Sequence, residues 1–268
     1  MRYNPRVEPR RAELRPSSLA YALRALGHKD LPASFVVPSG TYRLTETIKH
    51  DFYAATGFYA NERGEKAVLK VGRVVDFGGF PLLWLGKFLC RRESRFYKKL
   101  GDLPNVPKYL GKVGETGFAH AYVEGRPLSK HRPVPDTFFD DLKALFLELH
   151  RRDIAYVDTN KPENILLGDD AKPHLIDFQI SFDLHELGDH FISRWVLRRM
   201  QHEDLYHYLK HKKRLRPDQL TDEERARAEH KSWFIKAHRF ITKPYFKLRR
   251  RTFKRLRDSG QLLPEGSK

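Results

Sequence analysis

His150-Arg151-Arg152-Asp153-Ile154-Ala155-Tyr156-Val157-Asp158-Thr159-Asn160-Lys161-Pro162-Glu163-Asn164-Ile165-Leu166-Leu167, followed past the Gly168-Asp169-Asp170 turn by Leu175-Ile176-Asp177-Phe178-Gln179, is the stretch on which the reading of the chain turns. Just upstream, Leu142, Leu145, Phe146 and Leu149 recur at i, i+3, i+4 and i+7, the apolar stripe of a core-facing helix over Asp136 to Arg152. That helix delivers His150, read as a structural histidine, to a polar loop with an Asp and an Asn. Two short apolar strands follow, and a second Asp stands just past them. Hard cations such as Mg²⁺ take oxygen ligands, commonly one or two carboxylates together with substrate phosphates. Asn164 and Asp177 supply such oxygens, which leaves Asp158 to accept a proton from an incoming hydroxyl. Asp, Asn and Pro are also ordinary turn formers. Their combination in this order carries the reading, not any one of them.

With these parts in this order, the stretch resembles the catalytic and metal-binding loops of the protein-kinase-like superfamily. Lys161-Pro162-Glu163-Asn164 is similar to the second half of the kinase loop, and Asp177-Phe178-Gln179 stands where Asp-Phe-Gly is expected. The resemblance covers residues 42 to 182. No Ala-Pro-Glu segment follows Asp177, which is similar to the atypical bacterial branch, the RIO-like and lipopolysaccharide-core sugar kinases. The resemblance implies an α+β, bilobal fold. Residues 1–38 would be an extension packing on a small β-rich lobe, 39–124. A helical lobe, 125–268, would end in a basic helical tail, 231–258. It implies transfer of the γ-phosphoryl of ATP to a hydroxyl, on a protein Ser/Thr or a lipopolysaccharide-type sugar, with ATP and Mg²⁺ (or Mn²⁺) as cofactors. Asp158 would be the base and Asn164 and Asp177 the metal ligands.

Two departures bear on this. The usual loop steps five residues from Asp to Asn, whereas Asp158 to Asn164 is a step of six. A gapless alignment puts Thr159 at the base position, where a threonine cannot serve, so a one-residue insertion is expected. Gln179 also replaces a Gly whose backbone freedom Gln lacks, so the metal-binding loop is expected to flip less readily. With no Gly-x-Gly-x-x-Gly pattern either, a second class stays open: a catalytically weak pseudokinase, a nucleotide-binding or scaffold module with a basic docking tail.

Upstream, Tyr42 to Ile48 alternates as a strand, Gly57 to Asn61 reads as a second and Lys66 to Val71 as a third. Lys49 to Gly57 between them reads as a hairpin loop. The resemblance gives it the place of the phosphate-covering loop, where N–H groups of Ala54, Ala55 and Thr56 would approach a phosphate. Lys70, in Ala67-Val68-Leu69-Lys70, looks like the third-strand lysine that meets the nucleotide phosphates. Glu93 is the sole acid in the helix read over Phe80 to Leu100, hence the sole candidate partner for Lys70 there. The competing reading of Glu93 is a surface pair with Lys87 or Arg91. Val106 to Val113 and Phe118 to Val123 read as two further strands. Tyr122-Val123-Glu124-Gly125-Arg126-Pro127-Leu128 resembles the hinge between lobes, with the backbone of Tyr122, Val123 and Glu124 at the adenine edge.

The 268 residues carry a net charge of +17 and 40% hydrophobic residues, enough for one sizeable core. The charge is uneven: Lys231 to Arg257 holds eleven Lys or Arg and no Asp or Glu, leaving +6 for the rest. Such a run suits a polyanionic partner, an anionic membrane or glycolipid before nucleic acid, or simply a solvated helix. Trp233, Phe234, Phe240, Tyr245, Phe246 and Phe253 interleave with it, in a region read as helices over Asp183–Lys213, Thr221–Ile241 and Pro244–Asp258. A single cysteine, Cys90, and a charged N-terminus without an apolar core lead to the expectation of a cytoplasmic protein, peripheral at the inner membrane surface through its tail. The longest mainly apolar run, Phe80 to Cys90, is far short of a membrane span.

Overall fold

Alternating burial organises the first half of the chain. In the computed structural model, which describes residues 21–229, β1 (Ser34–Val37), β2 (Gly40–His50), β3 (Ala54–Asn61), β4 (Lys66–Gly72), β5 (Tyr109–Val113) and β6 (Gly117–Ala121) form one antiparallel sheet. Its order is β1-β2-β3-β4-β6-β5. Phe35, Tyr42, Tyr59 and Leu69 pack with Ala55, Ala67 and Ala119 on one face. The edge strand β1 lies inside the extension expected to end at residue 38. Leu26 and Leu31, from the same extension, join that core.

Between β4 and β5 runs helix α1 (Leu83–Lys99). It lies against the end of β4 because Gly86 has no side chain: a Cβ there would stand 2.0 Å from the Arg73 carbonyl oxygen. That close approach brings Glu93, two turns on, over Lys70.

The second half is helical with small sheets. β7 (Gly125–Pro127), β9 (Ile165–Gly168) and β10 (Pro173–Leu175) pair in the order β10-β9-β7, and β8 (Ile154–Ala155) pairs with β11 (Phe182–Asp183). Residues 125–127, read as a break in regular structure, are thus a strand on β9. Around them stand α2 (Phe138–Arg151), α3 (Leu184–Leu187), α4 (Phe191–Leu215) and α5 (Asp222–Glu229). The single helix expected over Asp183–Lys213 is two, because Gly188, at φ +81°, ends α3. α5 opens with a reciprocal cap, Glu224 N–H on Thr221 Oγ1 at 3.1 Å and Thr221 N–H on the Glu224 carboxylate at 3.4 Å. A continuous core ties the halves together: Phe96 and Tyr97 of α1 and Phe118 of β6 pack with Phe146, Tyr156, Phe178 and Tyr208. Among the described residues no helix is long and apolar enough to cross a membrane. The basic run Lys231–Arg257, its aromatic residues and the helix read over Pro244–Asp258 lie outside the described residues.

Candidate active site

β4 presents Lys70 between Thr56 on β3 and Phe118 on β6. Its Nζ lies 2.7 Å from Glu93 Oε2 and 3.0 Å from Asp177 Oδ1. Glu93 is buried and turned inward; Lys87, its alternative partner, pairs with Glu115 at 2.8 Å instead. Burial disfavours charge on all three groups. On Lys70 the two carboxylates outweigh burial and raise the pKa, so the ammonium stays charged. On Asp177 burial is outweighed by Lys70, which holds the carboxyl below its usual range. On Glu93 burial prevails over Lys70 and pushes the pKa up to about 7.

The loop after β8 is bent by its contact with α4. Buried Asp204 accepts the Tyr156 and Val157 N–H groups, each at 2.8 Å, and the Thr159 hydroxyl at 2.6 Å. His150, at 3.3 Å, leans on the same carboxylate, in a structural role. These bonds hold Val157 at φ +69°, a backbone that a β-branched residue rarely adopts. Thr159 is fully buried, and its carbonyl oxygen is bonded to His211 Nε2 at 2.7 Å. Asp158 Oδ2 instead accepts from Lys161 Nζ at 2.6 Å and from Asn164 Nδ2 at 2.7 Å. Its Oδ1 accepts nothing from the described residues. Burial raises the Asp158 pKa against the pull of Lys161. The six-residue step is taken up by two successive 3₁₀ turns, Asp158–Asn160 and Pro162–Asn164, with Lys161 extended between them.

Asn164 and Asp177 are brought together by the β9–β10 hairpin, in which Ile165 faces Leu175. The Ile176 N–H donates to the Asn164 carbonyl at 3.1 Å. Tyr156 Oη, fully buried, donates to the carbonyls of Asn164 and Ile176. The left-handed residue of the metal loop is Asp177, at φ +61°, whose N–H donates to Tyr97 Oη at 3.1 Å. Gln179 is therefore not asked for glycine's backbone. Instead Arg92 of α1 bonds the carbonyls of Gln179, at 2.6 Å, and Ser181, and pairs with Glu186 at 3.0 Å. Phe178 is packed among Phe96, Tyr97 and Tyr156.

The residues expected at the nucleotide stand in two places, and the expected loop over the first of them is shorter than the sequence suggested. Ala54, Ala55 and Thr56 are not in a loop; they pair in β3 with Gly72, Val71 and Lys70. The turn is only Asp51-Phe52-Tyr53, and the Asp51 carboxylate takes the N–H groups of Tyr53 at 2.8 Å and Ala54 at 2.9 Å. Small residues pack as well in a buried strand as in a loop, so size did not distinguish the two. At the hinge, the Tyr122 N–H already donates to Lys66 O, and the Glu124 carbonyl accepts from Asp169. Of the three hinge residues only Val123 makes no backbone hydrogen bond among the described residues. Sequence reasoning missed Asp204, Arg92, Tyr97 and Tyr156. The one available signal was an acid, Asp204, on the same stretch of helix as the buried tyrosines 206 and 208.

No family model matches the sequence, and no curated protein is similar to it. The fold is similar to that of the Rio2 kinase from Chaetomium thermophilum, solved as an ADP/Mg²⁺–phosphoaspartate complex. The TM-score is 0.50 at 20% identity, over 67% of this chain and 58% of that one. A second structure of Rio2 kinase from the same organism matches with a TM-score of 0.48 at 20% identity, over 64% of this chain and 58% of that one. This chain thus spans less than two thirds of either. The likeness is one of fold, protein-kinase-like, and it does not reach the lipopolysaccharide-core branch.

Proposed function

We propose that the protein is an ATP-dependent phosphotransferase acting on a hydroxyl. The observation that carries this is one ammonium, Lys70, shared by two carboxylates from distant parts of the chain, Glu93 and Asp177, the latter 107 residues away. An anchored lysine and an adjacent acid are what a bound nucleoside triphosphate requires of a kinase-type site. Asn164 and Asp177 offer one amide and one carboxylate oxygen, a donor set that suits Mg²⁺ (or Mn²⁺) shared with phosphates. The ion, when bound, neutralises charge on the phosphates. Lys70 would steady those phosphates, with Glu93 steadying Lys70. Asp158 would orient the acceptor hydroxyl through its unbonded Oδ1 and take its proton, its raised pKa favouring that transfer. Lys161 would balance the charge beside it. The adenine edge would be met at Val123. A protein Ser/Thr and a sugar hydroxyl both remain as acceptors, because a fold does not choose between them. The basic run Lys231–Arg257 supports a cytoplasmic protein held near anionic surfaces.

One observation favours a second reading, a catalytically weak nucleotide-binding or scaffold module. Asp51 occupies the N–H groups of the phosphate turn and adds a negative charge there. A thermal-shift titration with Mg-ATP beside an ATP-turnover assay separates the two. Stabilisation with turnover is expected, and stabilisation without turnover would favour the second reading.

A further inference from the structure

The outward face of α1 takes no part in the chemistry above. Gly86, Cys90, Glu93, Phe96 and Tyr97 turn inward. Between them, Trp84, Phe88, Lys87, Arg91, Arg95 and Lys98 share the other side, two aromatics and four cations, of which Lys87 pairs with Glu115 and Arg95 with Glu186 while Arg91 and Lys98 stay exposed. Phe80 extends the aromatic line from the turn before the helix, where Gly78-Gly79 lets Phe77 and Phe80 bridge. Trp84 and Phe88 stand one turn apart on the helix and Phe80 just before it, and Phe80, Trp84 and Phe88 are 73%, 63% and 54% exposed. Single exposed apolar residues are ordinary; three large aromatics in line are a patch that calls for a partner.

The line runs onto the metal loop. One turn past Phe88, Arg92 bonds the carbonyls that flank Ile180, and Arg92 and Arg95 both pair with Glu186, next to Leu187. Ile180 and Leu187 are exposed as well. Aromatic and aliphatic side chains framed by Lys and Arg match a lipid headgroup region, where Trp and Phe enter the acyl boundary and cations meet anionic phosphates. A second copy of the chain fits less well, since two cationic faces would meet.

We propose that this face, Phe80–Trp84–Phe88 with its flanking cations, docks the protein on an anionic lipid bilayer. The metal loop then sits at the membrane surface. If the phosphotransferase reading holds, on which this corollary rests, the acceptor hydroxyl is one presented at headgroup level. The docking is tested on the full chain with Trp195→Phe and Trp233→Phe, which leaves Trp84 as the only tryptophan. The probes are phosphatidylcholine vesicles with and without phosphatidylglycerol, some with brominated acyl chains. Trp84 emission should shift to the blue and be quenched by brominated vesicles that contain phosphatidylglycerol. Phe80→Ser with Phe88→Ser should weaken vesicle association by roughly tenfold or more, as expected for two exposed aromatics losing a place to bury. Vesicle pelleting with Trp84 unquenched would overturn the proposal and assign the binding to the basic run near the C-terminus. A blue-shifted Trp84 in a species of doubled mass without vesicles would overturn it in favour of a second copy. The quenching is read on the parent, so it stands even if the double variant folds poorly. ATP turnover without vesicles is measured in parallel; its absence beside intact quenching would sink the phosphotransferase reading and leave the docking face.

Discussion

The hairpin that carries Asp158, Asn164 and Asp177, residues 156–179, and the turn before β3 proposed to meet a phosphate, residues 50–54, are both short, polar and partly buried, yet they are held in opposite ways. The hairpin is fixed from within the helical half. Asp204 gathers three donors beneath Asp158, and Tyr156 ties Asn164 to Ile176. The turn is fixed from outside the sheet by the residues before it. The Ala25 N–H donates to Asp51 O at 2.7 Å and the Leu26 N–H to His50 Nε2 at 3.1 Å. Buried Arg73, stacked over Phe52, bonds Phe52 O at 2.9 Å and Ala22 O at 2.7 Å. Burial, aided by Arg24, lowers the His50 pKa to about 4, so this strut is neutral at ordinary pH. In the hairpin, buried bonds leave the Asp158 carboxylate to Lys161 and Asn164. In the turn, a carboxylate consumes the donors that a phosphate would use. One region hangs on a carboxylate from a distant helix, the other on a carboxylate of its own.

The contrast breaks first at Asp158. Asp158→Asn should lower kcat by roughly 10² to 10⁴ with ATP affinity little changed. Thr159→Val should leave kcat far closer to the parent and instead cost about 1–3 kcal/mol of stability, because it strips a bond from buried Asp204. Steady-state kinetics beside urea unfolding reads both effects. The opposite order, with Thr159 essential and Asp158 dispensable, would turn the hairpin around.

Asp204→Ala comes next. It leaves the Tyr156 and Val157 N–H groups and the Thr159 hydroxyl without their partner, and should cost about 3–5 kcal/mol. The urea midpoint should drop at constant slope. A loss below that of a surface substitution would mean that the hairpin holds its bend without α4.

The pH dependence tests Lys70's anchors. The raised pKa of Glu93 means that ATP turnover should fall as pH drops through about 7, when Glu93 takes a proton and loosens its hold on Lys70. For stability the sign is reversed. A carboxyl whose folded pKa lies above its unfolded one stabilises below the unfolded value, and that contribution is lost as pH rises through about 7. Glu93→Gln, always neutral, should therefore gain on the parent in melting temperature between pH 5 and pH 8. The residual turnover of this variant should lack the limb near 7; an unchanged limb would assign it to another group, Asp158 first.

The smallest effect is expected at the turn. Asp51→Ala removes a local cap worth about 1 kcal/mol. It also frees two N–H groups and takes a negative charge from the phosphate position, so KM for ATP should fall by a few-fold. A rise in KM would mean that the closed turn is itself the form that meets the nucleotide.

Much of the site was legible in the chain because its residues come in short strings. Lys161-Pro162-Glu163-Asn164 runs directly into β9 and Ile176-Asp177-Phe178 directly out of β10, two paired strands, so spacing alone nearly fixes which side chains meet. Glu93 was legible through its isolation among cations, a signal that survives without coordinates. The phosphate turn was not. Ala54, Ala55 and Thr56 have side chains too small to declare a strand or a loop, and the choice was made by β2 and β4 pairing on either side of them. The short strand β7 was hidden for a related reason: Gly125 to Pro127 reads as punctuation until β9 lies alongside.

The sequence by itself determined the likeness to a protein-kinase-like fold, the set of ionisable groups and their order along the chain, because these depend on residue identity and near spacing. Only the tertiary structure decided that Thr159 rather than Asp158 is taken by Asp204, and that Gln179 is held by Arg92 rather than by its own backbone. Those outcomes depend on which buried donors and acceptors find partners dozens of residues away. An unpaired polar group in the interior costs about 1–3 kcal/mol wherever it lies in the sequence, so the satisfied arrangement wins over the locally plausible one.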